Sequence, residues 1–301
     1  MYIAPLQQAL CADRCQITRG PEPGNWIVPS LPDGWRLLSF HFFVDWRQTP
    51  PIVADRIWMT RQLRFEAGDS FDTINDEKIL RQFYAGPTNR DFEDLERACA
   101  PCGHVVSTIL LPEIPVTDIH DHTPVWAIDR RQNGDLRIIR GVVQHLKNAI
   151  QHHSGGPVHV GNKGLTYGTS AVECYLSRSD AAFPGDADAV IVDAQNQIRC
   201  IIEYKKHTLN APIGQHLAGR YYPHPDGRKY QRLEALAARC RNALSSPVPL
   251  IVLYYSTRTP VIRLQEIGNL NATGITIKRD SNDMRIHDSI SDDVVNWFGM
   301  Y

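Results

Sequence analysis

No apolar run in this 301-residue chain is long enough to span a bilayer, and its first residues lack the basic-then-apolar pattern of a secretory leader. The expectation is a cytoplasmic protein with no membrane partner. Net charge is nearly absent too: 32 Lys and Arg against 33 Asp and Glu leave −1. That is mildly awkward for a nucleic-acid binder, whose phosphate-binding surface then has to be local. Internal repeats and low-complexity tracts are missing, which excludes solenoids and disordered arrays. The glycine-rich stretch Gly161-Asn162-Lys163-Gly164 lacks the Gly-Lys-Ser/Thr ending of a nucleotide-binding loop. Lys163 is left as a candidate contact to a phosphate. No helical stretch shows His-x-x-x-His spacing, which argues against a zinc hydrolase built on the histidines.

What is present is a pair of apolar strands that carry acids. Ala189 to Val192 and Ile198 to Tyr204 are rich in Val and Ile, and Ala194-Gln195-Asn196-Gln197 between them suits a short turn. A hairpin symmetric about Gln195-Asn196 sets Asp193 across from Ile198 and Asp188 across from Glu203. Alternation along the strand then puts Lys205 on the same face as Glu203. Opposed carboxylates destabilise a sheet unless a cation offsets them. Oxygen-only ligands from two carboxylates suit Mg²⁺ or Mn²⁺. Lys205 beside such an ion is suited to orient a water or to stabilise developing negative charge.

Asp188 followed by Glu203-x-Lys205 resembles the PD-(D/E)xK nuclease superfamily, over about residues 165 to 256. Asp186 is the runner-up for the first acid, because Pro184-Gly185-Asp186 approaches the family's Pro-Asp spelling. The resemblance implies a restriction-endonuclease-like α/β core, a mixed central β-sheet flanked by α-helices. It implies an additional acid on the preceding helix, for which Glu173 is the candidate. A polar residue on the following helix is implied as well, matched loosely by Gln231 in Arg228-Lys229-Tyr230-Gln231-Arg232. The activity implied is Mg²⁺-dependent hydrolysis of DNA phosphodiesters, of the restriction or defence kind. Asp188, Glu203 and Lys205 would be catalytic, with Asp188, Glu203 and Glu173 on the metal. A homodimer follows if both strands of a duplex are cut. An RNA-cutting or repair nuclease stays open within the same class. From another class comes a non-catalytic nucleic-acid-binding or assembly protein on the same fold.

Charge distribution agrees with a local anion site. Between Asn196 and Arg241 nine Lys and Arg face three acids, Glu203, Asp226 and Glu234. Lys206, His207, Arg228, Lys229 and Gln231 are the nucleic-acid contacts expected there, with Lys163. Seven cysteines in a cytosolic chain point to thiols or metal rather than a disulfide framework. Cys11, Cys15, Cys99 and Cys102, with His104 nearby, are the candidate set for a structural Zn²⁺. Cys174, Cys200 and Cys240 read as packing residues.

Residues 1–125 are Pro-rich and read as an irregular accessory region for target recognition. Residues 126–301 read as the nuclease domain. Within the first region, a strand is expected around Leu37 to Val44, helices at Glu77–Tyr84 and Asp91–Ala98, and a strand at Val105–Leu111. A helix is expected over Leu6–Cys15, and another over Ile138–His153 from the spacing of Val142, Val143, Leu146 and Ile150. A loop over His207–Gly227, a helix over Arg228–Leu244 and a strand over Leu250–Tyr255 follow the catalytic hairpin. That strand should run parallel to the Glu203 strand, because a crossover separates them. A strand at Gly274–Arg279 and a helix at Asp292–Phe298 close the chain.

Overall fold

A computed structural model describes residues 1–11, 22–71, 73–160, 165–224, 226–271, 274–286 and 296–298. The protein is mixed α/β and divides into two compact units. The first comprises Met1–Ile17, Phe40–Ala100 and His104–Gly185; the second comprises Thr18–Ser39, Pro101–Gly103 and Asp186–Tyr301. This division does not coincide with the one expected at residue 125.

Numbering elements of six residues or more, the first unit holds most of β1 (Arg36–Asp45), then β2 (Ile52–Arg64), α1 (Asp76–Ala85), α2 (Pro87–Cys99) and β3 (Val105–Pro112). After these come β4 (Pro124–Arg130), β5 (Leu136–Val142), α3 (Val143–Ser154) and α4 (Ala171–Leu176). Strand β2 pairs antiparallel with β1 and parallel with β3, and β3–β4–β5 continue antiparallel. Helices α1 and α2 fill the crossover that a parallel β2–β3 pair requires. Val143, Leu146 and Ile150 of α3 and Val172 and Leu176 of α4 pack on Phe43, Trp58, Ile109 and Leu111. This region is ordered α/β rather than irregular. The helix expected from Ile138 begins only at Val143, and the preceding residues form β5. The helix expected at Leu6–Cys15 is also absent where it is described: Ala9–Leu10 pairs as a strand with Tyr167–Gly168.

The second unit holds β6 (Gly185–Val192, from Asp186 on), β7 (Ile198–His207), α5 (Gly227–Leu244), β8 (Leu250–Ser256), β9 (Val261–Leu270) and β10 (Ile275–Asp280). Its strand order is β10-β9-β8-β7-β6. Only β7–β8 is parallel, with α5 as the crossover, as expected. One face of the sheet, with Ala189, Ile191, Cys200, Ile202, Ile251 and Leu253, is covered by Ile27 and Phe298. The opposite face carries Val190, Ile201 and Val252 and lies under α5, whose Leu233, Leu236, Ala237 and Cys240 are buried. The expected loop at His207–Gly227 contains short helical turns at Ile213–Gln215 and Ala218–Tyr221. Of the expected terminal helix, Asn296–Phe298 is a 3₁₀ turn and the rest lies outside the described residues.

Candidate active site

The β6–β7 hairpin has the expected register with an altered turn. Cys200 pairs with Ile191, Ile201 with Val190 and Ile202 with Ala189. Continued by one residue, this sets Asp188 across from Glu203. Nearer the turn, Ile198 pairs with Val192, one residue off, and a bulge between Ile198 and Cys200 restores the register. Alternation puts Asp186, Asp188, Glu203 and Lys205 on the face beneath α5, and Lys206 on the other face.

Glu203 has no exposed surface at all. Its compensation is ionic: Lys229 Nζ lies 2.5 Å and Lys205 Nζ 3.5 Å from Oε1. Asp188 accepts a hydrogen bond from the Tyr204 backbone N–H at 2.7 Å, and its Oδ2 lies 3.9 Å from Lys229 Nζ. Lys205 Nζ donates to Asp226 at 2.6 Å and lies 5.5 Å from the centre of the Tyr230 ring. Asp226 stands at the N-cap of α5. Asp186 is paired with Arg232 at 3.0 Å.

These charges act on one another. Burial pushes the Asp188 carboxyl well above its ordinary value, and the Glu203 and Asp186 charges push it further, with Lys229 opposing. Burial works against the Lys229 ammonium, yet Glu203, Asp188 and Asp186 outweigh it and hold the proton more tightly than usual. Tyr204 and Tyr230 are both pushed up, chiefly by burial.

Asp188, Glu203 and Lys205 thus come together as expected. Lys229, expected as a nucleic-acid contact, turns inward to the two acids. Asp226 joins the site without having been expected, and no short pattern links it to residues some twenty positions earlier. Arg228 is exposed and Gln231 is partly exposed on the same helix. His207 is buried, and its Nε2 is hydrogen-bonded with the Ala211 carbonyl at 2.6 Å, so its ring serves the loop. Glu173 lies in the first unit, where its carboxylate accepts from the Thr169 backbone N–H and hydroxyl. Lys163 lies outside the described residues.

The donor set fits a hard divalent cation: two carboxylates on adjacent strands, with no sulfur or imidazole among them. It stops at two acids, since no group of three or more His, Cys, Asp or Glu among the described residues is placed to hold a metal. The structural Zn²⁺ set does not assemble. Cys11 is joined to Cys174 in a disulfide, and Cys174 is buried in α4. Cys102 is hydrogen-bonded with Cys240, which together with the Arg239 charge holds its thiol below the ordinary value against burial. Cys15 lies outside the described residues.

Among the described residues no helix is long and apolar enough to cross a membrane. No protein-family model matches the chain, and no curated protein is similar to it. Among solved structures, the sex pheromone staph-cAM373 precursor aligns over 90% of this chain and 85% of its own, at 8% identity and a TM-score of 0.20, a level at which no shared fold is drawn.

Proposed function

We propose that this protein is a metal-dependent DNA endonuclease of restriction-endonuclease-like core, in which Asp188 and Glu203 hold Mg²⁺ or Mn²⁺. One observation carries the reading. Glu203 is a wholly buried carboxylate facing a second carboxylate on the adjacent strand. Burying an ionised carboxylate is strongly unfavourable unless a cation compensates it.

When bound, the cation supplies Lewis acidity to a phosphoryl oxygen and lowers the pKa of its water. The chain's own groups do the rest. Asp226 and the Tyr230 ring hold the Lys205 ammonium beside Glu203, within reach of a water or of negative charge developing on phosphate. Arg228, exposed on the first turn of α5, would meet the phosphodiester backbone. DNA is the proposed substrate, and a homodimer is proposed for duplex cutting.

The ion pair between Lys229 and Glu203 favours a second reading, a non-catalytic nucleic-acid-binding protein in which the charges are structural. Plasmid cleavage separates the two. Wild type with Mg²⁺ or Mn²⁺ is expected to nick or linearise plasmid DNA. Glu203→Ala and Lys205→Ala should each slow this by about a hundredfold or more. Wild type that leaves DNA intact with either metal, or variants that cut as fast as wild type, would overturn the nuclease reading.

A further inference from the structure

Lys229 reaches from the first turn of α5 to the two acids. Its Nζ is 2.5 Å from Glu203 Oε1 and 3.9 Å from Asp188 Oδ2. Lys229 thus pairs with both carboxylates, whereas Lys205 reaches Glu203 alone, at 3.5 Å, and is tied to Asp226. Any metal ion shared by Asp188 and Glu203 has to approach these same oxygens. A divalent ion and an ammonium that close together in a largely buried site repel each other strongly. The two therefore compete for one position. Lysine is built for leaving such a position: its charge sits on four flexible carbons, and here the side chain is already 28% exposed.

We infer that Lys229 is the built-in counter-ion of this site, compensating Asp188 and Glu203 in the metal-free protein and swinging outward when a divalent cation loads. The inference rests on the metal-binding reading above. It explains how a chain can keep Glu203 wholly buried before metal arrives. Because α5 also presents exposed Arg228, an ammonium turned outward joins a basic helix start suited to phosphate. Metal loading would then create part of the anion-binding surface, and the two binding events would favour each other.

The experiment uses full-length protein and Mn²⁺ as the probe. Reductive methylation of lysines, read by mass spectrometry, reports whether Lys229 is free. Labelling of Lys229 should be slow in EDTA and rise with Mn²⁺ occupancy measured by titration calorimetry. Lys229→Met should bind Mn²⁺ at least about tenfold more tightly than wild type, having lost the competitor. The labelling arm is done on wild type and so stands even where Lys229→Met fails to fold. Mn²⁺ that binds without changing Lys229 labelling, or a folded Lys229→Met with unchanged affinity, overturns the counter-ion role and leaves the nuclease reading intact. Wild type that takes up no Mn²⁺ overturns both.

Discussion

Asp188 illustrates how far one residue's environment can move its chemistry. The folded protein holds a proton on Asp188 at pH values where the unfolded chain has released it, because burial and the Glu203 and Asp186 charges raise its pKa above 3.8. Between those two pKa values the native state binds more protons than the unfolded state, so stability falls as pH rises through that window. In EDTA, urea unfolding followed from about pH 4 upward should show this decline. Glu203→Gln keeps the side-chain shape and removes one of the repelling charges, so the decline should be shallower and end at lower pH. Identical pH profiles for the two proteins would show that Glu203 does not set the Asp188 proton. At this scale the sequence was legible where the chemistry is local. Asp188, Glu203 and Lys205 follow from strand alternation and one register. Lys229 was visible as a basic residue but not as the partner of the acids. Its direction depends on how α5 lies across the sheet, which no spacing within the helix records.

The hairpin joining β6 and β7 reaches the expected register by two irregularities that cancel. Asp193 N–H donates to the Gln197 carbonyl and Asn196 N–H to the Asp193 carbonyl, enclosing a three-residue loop. Asn196 takes a left-handed conformation, φ 62°, that asparagine tolerates better than most residues. The Asp193 carboxylate accepts from the Gln195 and Gln197 backbone N–H groups at 2.9 and 2.8 Å. This loop shifts the pairing by one residue, and the bulge before Cys200 shifts it back. Asp193→Ala should cost about 1–2 kcal/mol, through loss of both turn hydrogen bonds. Asn196→Val should cost about 1–2 kcal/mol through the left-handed backbone, while Asn196→Gly should be close to neutral. Urea unfolding measures all three, and an Asn196→Val as stable as wild type would contradict the turn. The core positions of the hairpin were legible because burial on both faces penalises a slip. The bulge was not, since no residue type near Arg199 announces it. Strand β2 escaped notice for a different reason. Arg56, Arg61 and Arg64 interrupt its apolar pattern, and each finds its partner elsewhere in the chain: Ser107 at 2.9 Å, Asp91 at 2.8 Å and Glu113 at 2.9 Å. Polarity that is compensated by distant side chains reads as loop in a local window.

At the scale of the whole chain, a disulfide joins Cys11 to Cys174 within the first unit, across a separation of 163 residues. The expectation of free thiols came from composition, which carries no information about which cysteines meet. Spacing drew Cys11 toward Cys15, whereas the pairing of Ala9–Leu10 with Tyr167–Gly168 and the hydrogen bond from the Cys11 N–H to the Thr166 carbonyl bring it beside α4. A cross-link stabilises mainly by restricting the unfolded chain, more for longer loops, and for one of this length the ceiling is about 5 kcal/mol. A reducing cytosol would open it. In such a compartment the reduced, less stable protein would be the resting state; in an oxidising one the bond would add its full restraint. Reductant should therefore lower the urea midpoint of the wild type and leave a Cys11→Ala, Cys174→Ala double variant unaffected. A non-reducing digest should yield the Cys11 and Cys174 peptides joined. The hairpin site lies in the other unit, and its ion pairs involve neither cysteine. Mn²⁺ affinity should consequently be the same with and without reductant. Loss of metal binding on reduction would mean that the restraint reaches the second unit, and that the two compact units do not respond independently.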